Sequence, residues 1–305
     1  MLEDYDRLIA SCRSMNGVNR VHIAFGNTLT PVEVLALSEA LFVKGIHDGP
    51  TLSGEQSFSA RELKEAAREW VDELFQDLRP VGKVDPEPFV RRDIRKNVTL
   101  FTDGADAREK ALLLAFPGGN HRIMMPIAAF LQNLAAAATD VVVIRDGTRT
   151  RYINGIEGLA DSIEELADAL PALLQVQRYK RVYALGVSAG GLPLLMVALQ
   201  IGIENIVICG AISPFAPRIE RPGATPIADV LRAANANGKP KHIVAVHGAD
   251  SPEDKQAAAD IASCIDAKVV EVSSPNFAVM HNTLHRLHKD GDLPAFLDAH
   301  LWRRA

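Results

Sequence analysis

At 305 residues with 48% apolar and 23% charged side chains, the chain has globular composition and length for one α/β domain with an appendage, which excludes fibrous, repeat and globally disordered architectures. Its 33 Lys+Arg face 38 Asp+Glu, a net charge of -5 without a long basic run. The footprint of a nucleic-acid or anionic-membrane binder is therefore missing, and a small-molecule ligand is expected. Cys12, Cys209 and Cys264 are far apart and form no C-x-x-C pair, so neither a disulfide framework nor a cysteine zinc site is legible. With an acidic start and no apolar run near the ~18 residues of a membrane span, the expectation is a soluble, cytoplasmic protein.

Up to about residue 95 the helical period dominates. Thr30-Pro31-Val32-Glu33 reads as an N-cap, a first-turn Pro and a capping-box Glu, with Gly45 as the stop. A second box, Ser59-Ala60-Arg61-Glu62, leads into Leu63, Ala66, Ala67, Trp70, Val71, Leu74, Phe75 and Leu78, an apolar stripe that predicts packing surface rather than a ligand site. Pro80, Pro86 and Pro88 mark a boundary. The expected organisation is an N-terminal helical segment, 1–95, followed by an α/β domain, 96–305. The segment is expected either to dock over the site as a cap or to serve in stability or self-association.

Beyond residue 95 short apolar strands alternate with longer amphipathic stretches. Strands are predicted over Asn97–Thr102, Lys110–Phe116, Asp140–Ile144, Arg181–Leu185, Asn205–Cys209, His242–Val246 and Lys268–Val272. Helices are predicted over Ile163–Leu174, Leu192–Gln200, Glu253–Cys264 and Ala295–Trp302. This alternation implies a mostly parallel sheet flanked by helices. The Pro-rich stretch Ser213–Pro226 reads as a long loop, a binding loop or lid as readily as a rigid connection.

Gly186-Val187-Ser188-Ala189-Gly190 stands between a predicted strand and a predicted helix. A nucleophile elbow requires that context: small residues let the sharp turn pack closely and lift the serine hydroxyl clear of the sheet. A dinucleotide loop is the rival, but Ser188 occupies the place of its second Gly. On this motif and the order of the parts around it, residues 95–305 resemble the α/β-hydrolase superfamily, nearest to bacterial serine esterase-like members with an extra N-terminal segment.

The resemblance implies a site. Pro117-Gly118-Gly119-Asn120-His121 stands where the family keeps half of its oxyanion hole, so Gly119 or Asn120 would give one N–H and Ala189 the other. The base would be a His beyond the last strand, His281. His285 and His288 come after it at spacings that invite a metal reading, but no cluster of zinc-ligand spacing accompanies them and no metal or cofactor is expected. For the acid there are two candidates. Asp250 is nearer the strand end, where the superfamily commonly keeps it, and is favoured; Asp254 is the alternate, with helix capping as a competing explanation. Arg149, Arg151 and Tyr152, in the loop after the strand ending at Ile144, are candidate substrate contacts. The function implied is a serine hydrolase acting on a small acyl substrate, an ester or thioester. The alternatives are acyl transfer by the same residues and a non-catalytic binding protein of the same fold.

Overall fold

The computed structural model of the chain describes residues 2–44, 60–79, 82–83, 85–219, 223–238, 242–275 and 277–302. Helices α1 (Leu2–Ser11), α2 (Met15–Gly26), α3 (Pro31–Lys44) and α4 (Ala60–Gln76) come first. The capping box of α3 forms as expected: the Thr30 N–H donates to Glu33 at 2.8 Å, and the Glu33 N–H donates to the Thr30 hydroxyl at 3.3 Å. Gly45, Ser59 and Pro80 lie outside the described residues. The stripe of α4 is core, since Leu63, Ala67, Val71 and Leu74 are buried with Tyr5, Val18, Val34 and Leu37 of the first three helices. Trp70 stacks on His22 of α2, ring centroids 4.2 Å apart.

From Val90 the chain builds a sheet of β1 (Val90–Arg95), β2 (Val98–Thr102), β3 (Ala111–Phe116), β4 (Thr139–Ile144), β5 (Arg181–Val187), β6 (Asn205–Cys209), β7 (His242–Gly248) and β8 (Lys268–Val272). Their order is β1-β2-β4-β3-β5-β6-β7-β8. β1 and β2 run antiparallel, and every pairing from β4 to β8 is parallel. The predicted strands all form, but β1 is an addition. Its Arg91, Arg92 and Arg95 are exposed on an edge strand, so it lacks the apolar signal that marks the others, and sheet pairing begins ahead of the division expected at residue 95.

Helices α5 (Ile127–Gln132), α6 (Ile163–Leu174), α7 (Gly191–Ile201), α8 (Ile227–Ala236), α9 (Pro252–Cys264), α10 (Thr283–Lys289) and α11 (Leu293–His300) cover the two faces. Leu112, Leu114, Val142, Ala184 and Ile206 face a core shared with α6, α7, α8 and α9. Leu113, Val141, Val143, Leu185 and Val207 face the other, with α5, α10 and α11. That alternation along continuous apolar strands is the mark of a sheet covered on both sides. Helix α7 is buried from Gly191 to Leu199 because it lies under both the sheet and its neighbours. The N-terminal helices dock on this body through α5, whose Ala128 enters their core. No helix among the described residues is long and apolar enough to cross a membrane.

Candidate active site

The parallel strands end on one edge, and their register aligns the turns that leave them. Phe116 pairs with Gly186, Val187 with Cys209, Cys209 with Val246, and Gly248 with Val272. Ser188, Gly210 and the turn after Phe116 therefore stand in adjacent positions at the carboxyl edge, where open α/β sheets bind ligands.

Ser188 has φ +50°, in the left-handed region, between β5 and the helical turn leading into α7. A serine there is strained, and the surroundings hold it. A Cβ at Gly190 would come within 2.5 Å of the Phe116 carbonyl oxygen, and one at Gly186 within 2.9 Å of the Gly191 Cα. Both glycines are thus demanded by close backbone approach. Ala189 comes next, at the head of the helical segment, where N–H groups lack intrahelical partners and the helix dipole favours negative charge.

Across from the elbow is the turn Gly118–His121, closed by the His121 N–H donating to the Gly118 carbonyl at 2.8 Å. The Gly118 N–H is taken by the Arg122 carbonyl at 3.0 Å, so the turn's N–H groups left for a ligand are those of Gly119 and Asn120. Gly118 packs on the serine: a Cβ there would sit 3.0 Å from Ser188 Cβ and 3.5 Å from its Oγ, whereas one at Gly119 would meet nothing within 4 Å. The turn is held by side chains from three directions. Asn27 Nδ2 donates to the Asn120 carbonyl at 3.0 Å, Tyr152 Oη bonds the Pro117 carbonyl at 2.9 Å, and His121 Nε2 donates to the Asp146 carbonyl at 2.9 Å. Burial, with help from Arg149 and Arg145, holds His121 below the usual histidine range.

His281 Nδ1 donates to Asp254 Oδ2 at 2.9 Å and lies 3.2 Å from Oδ1. Through that hydrogen bond Asp254 raises the imidazole above its ordinary 6.5, against the opposing effect of burial. The ring packs on the strand next to Ser188, for a Cβ on Gly210 would come within 2.9 Å of its Cε1 and Nδ1 and within 3.0 Å of Met124 Cε. Gly210 has φ +55°, so both space and backbone require glycine under the imidazole. With Nδ1 on Asp254, Nε2 is the nitrogen left for a reacting proton.

The favoured acid, Asp250, does a different job. Its Oδ2 accepts the Val279 N–H at 2.7 Å, and its own N–H donates to the Val279 carbonyl at 3.0 Å, a clasp on the loop that carries His281. The hydrogen bond to the ring is made by the alternate, Asp254. The capping box that competes for Asp254 is half made. Ser251 Oγ accepts the Asp254 N–H at 3.4 Å, but the Ser251 N–H goes to the Gly248 carbonyl, leaving the Asp254 carboxylate to the histidine.

The loop arginines and Tyr152 separate. Tyr152 is 1% exposed and stacks on Phe116 at 4.9 Å, beneath the Gly118–His121 turn rather than open to a ligand. Burial raises its hydroxyl well above the ordinary value. Arg149 is exposed, and Arg151 lines a narrow pocket of about 10 Å³ beside Ala189 with Ile153, Ile212, Ile219 and Ile227. His288 is committed elsewhere: Asn133 Nδ2 donates to its Nδ1 at 3.0 Å, and its Nε2 donates to the Asp77 carbonyl at 2.7 Å. Cys209 is fully buried near Asp254, and burial pushes its thiol up to about 12, so it is no rival nucleophile.

The strand order and the sharp turn that carries β5 through Ser188 into α7 decide the architecture. The fold is that of the α/β-hydrolases. No protein-family model matches the sequence, and no curated protein does. Among solved structures, the hydrolase-fold chain is similar to the enterochelin esterase of Shigella flexneri, with 18% identity and a TM-score of 0.45 over 70% of this chain and 59% of that one. It is similar to Est1E of Butyrivibrio proteoclasticus, with 11% identity and a TM-score of 0.45 over 70% of this chain and 98% of that one. The capsule O-acetyltransferase of Neisseria meningitidis serogroup A matches with 15% identity and a TM-score of 0.42 over 60% of this chain and 86% of that one.

Proposed function

We propose that the chain is a serine hydrolase cleaving a carboxylic ester or thioester through an acyl-enzyme on Ser188. The observation that supports this most strongly is the pair His281–Asp254, 2.9 Å apart, seated on Gly210 one strand from a serine at φ +50°. A serine hydroxyl is a weak nucleophile unless a neighbouring base takes its proton, and an imidazole does so in the right tautomer when a carboxylate holds its other nitrogen.

In the reaction, Ser188 Oγ attacks the acyl carbon while its proton passes to His281 Nε2. The carbonyl oxygen becomes an alkoxide facing the N–H groups of Ala189 and of Gly119 or Asn120, which are stronger partners for it than for the neutral carbonyl. Collapse breaks the bond to the alcohol or thiol, and that leaving group takes the proton from His281. Water then repeats the sequence, with His281 as base, and releases the acid and free Ser188. Asp254 stabilises the imidazolium in both halves without itself taking the proton.

The test is pre-steady-state hydrolysis of p-nitrophenyl acetate with and without an added alcohol. The expected result is a burst of p-nitrophenol near one equivalent per chain, absent in Ser188→Ala, with acid rather than a new ester as the main product. Near-normal turnover in Ser188→Ala would contradict the proposal, and dominant ester formation would turn it to acyl transfer.

A further inference from the structure

The oxyanion turn is not held by the α/β-hydrolase body alone. Its Asn120 carbonyl is bonded by Asn27, the residue that ends α2 in the N-terminal helical segment, 93 positions away along the chain. The peptide unit joining Asn120 to His121 is thereby fixed at both ends, its oxygen by the Asn27 amide and its N–H by the Gly118 carbonyl. Fixing that plane restrains the turn that carries the N–H groups of Gly119 and Asn120.

Asn27 is itself rigid. It is 7% exposed, its N–H donates to Ile23 at 3.1 Å, and its carbonyl accepts from Arg145 Nη2 at 2.6 Å. Arg145 in turn donates to Thr99 Oγ1 of β2 at 3.0 Å, so the backbone that carries the Asn27 side chain is anchored to the sheet. The orientation of the amide is set by its partner, because a carbonyl oxygen accepts and only Nδ2 can donate to it. Its other end, Oδ1, is buried with no partner. An amide left half satisfied in the interior costs stability that an apolar side chain of similar size would not, so packing alone gives no reason for asparagine here. The bond to Asn120 does.

We infer that Asn27 is a positioning residue: the N-terminal segment reaches the active site through it and holds the oxyanion turn in the geometry that receives the alkoxide. The inference rests on the proposed roles of Ser188 and the Gly118–His121 turn. Transition-state stabilisation depends on donors fixed in advance, and loss of a single oxyanion donor costs about 10²–10³ in rate. A donor left in place but freed to wander loses part of that.

The experiment measures phosphonylation of Ser188 in the full-length chain by a fluorophosphonate, whose P=O oxygen would take the oxyanion position. The limiting rate, kinact, is separated from the reagent's affinity, KI, and rates are expressed per folded chain. Asn27→Asp keeps the shape but cannot donate to Asn120, and Asn27→Ala removes the side chain while the Asn27 carbonyl still serves Arg145. Both variants are expected to lower kinact by about tenfold or more with little change in KI. A residue that merely docks the segment would lower the thermal midpoint and leave kinact per folded chain at the parent value, and that result would overturn the inference. Ser188→Ala is the control for the underlying reading. Labelling at the parent rate without Ser188 would overturn both, whereas an unlabelled Ser188→Ala beside fully reactive Asn27 variants would overturn only the role of Asn27.

Discussion

Asp250 and Asp254 sit either side of the start of α9, and side-chain direction alone tells them apart. Asp254 meets the imidazole, while Asp250 ties down Val279, two residues before it. In the proposed reaction Asp254→Asn leaves His281 without its carboxylate and is expected to lower turnover by up to ~10⁴ in a folded protein. Asp250→Asn retains an oxygen for the Val279 N–H and is expected to keep most of its activity. Steady-state rates beside thermal midpoints check both, and the opposite pattern would return the acid to Asp250. The pH profile carries a second expectation. Because the Asp254 hydrogen bond raises His281 above 6.5, the base becomes neutral only above that value, and the acid limb of kcat/KM is expected to have its midpoint there. The stability from this raised imidazole is complete below the unfolded value and is lost as pH climbs through the folded one. Asp254→Asn should move the surviving activity's acid limb downward; a limb that stays in place would detach His281 from the profile.

At the scale of elements, the legible parts are those whose burial obeys a simple period. The strands β2 to β8 and the helices α4, α6, α7 and α9 carry continuous or striped apolar residues, and the elbow is written in contiguous residues between two such elements. The illegible parts depend on contacts between distant segments. Nothing near Asp250 or Asp254 in sequence says which carboxylate turns toward a loop 27 residues on, and capping grammar offers Asp254 a competing role. Asn27 and Met124 carry no local motif. Gly210 has a faint one, a glycine closing an apolar strand, but its reason is the imidazole of His281 above it. Tyr152 misleads for the opposite cause: its loop is exposed, yet three successive constraints, φ +62°, the Asp146 carboxylate on its N–H at 2.9 Å and Phe116 beneath the ring, turn it inward.

The junction of the N-terminal helices with the body is an element-scale feature with a consequence in acid. Burial first, then Arg122, lowers His22 to about 4, and burial lowers His288, which accepts a hydrogen bond from Asn133 only while neutral. Both rings are therefore uncharged in the fold, and the unfolded chain binds protons that the fold refuses. The contribution of His22 is complete above the unfolded value near 6.5 and is lost as pH falls from there toward 4, and that of His288 is likewise lost on the acid side of 6.5. The thermal midpoint is expected to drop across that window, and His22→Phe, which keeps a ring against Trp70, to flatten the drop. An unchanged slope in that variant would remove His22 from the acid response.

For the molecule as a whole, the two edges of the sheet are polar in different ways. At the amino edge Lys110, 0% exposed, is closed between Asp103 and Asp140, with Tyr179 on the second carboxylate at 3.0 Å. That trio holds one cation between two carboxylates, every member of it hydrogen-bonded, which is a structural arrangement. At the carboxyl edge the proposed reaction needs polar groups free to react: Nε2 of His281, the hydroxyl of Ser188 and the N–H groups of Ala189 and of Gly119 or Asn120 would serve the acyl group there. The N-terminal segment is tied to two parts of the candidate site, through Asn27 to the Gly118–His121 turn and through Asp77 to His288 and Lys289 of the helix after His281. The central claim, that this edge activates Ser188 and no other nucleophile, is tested most directly by intact-mass and peptide-level mass spectrometry after brief exposure of the folded chain to a fluorophosphonate. One adduct on the Ser188 peptide, formed far more slowly in His281→Ala and absent in Ser188→Ala, is the predicted result, and a folded parent chain that leaves Ser188 unmodified would contradict the account.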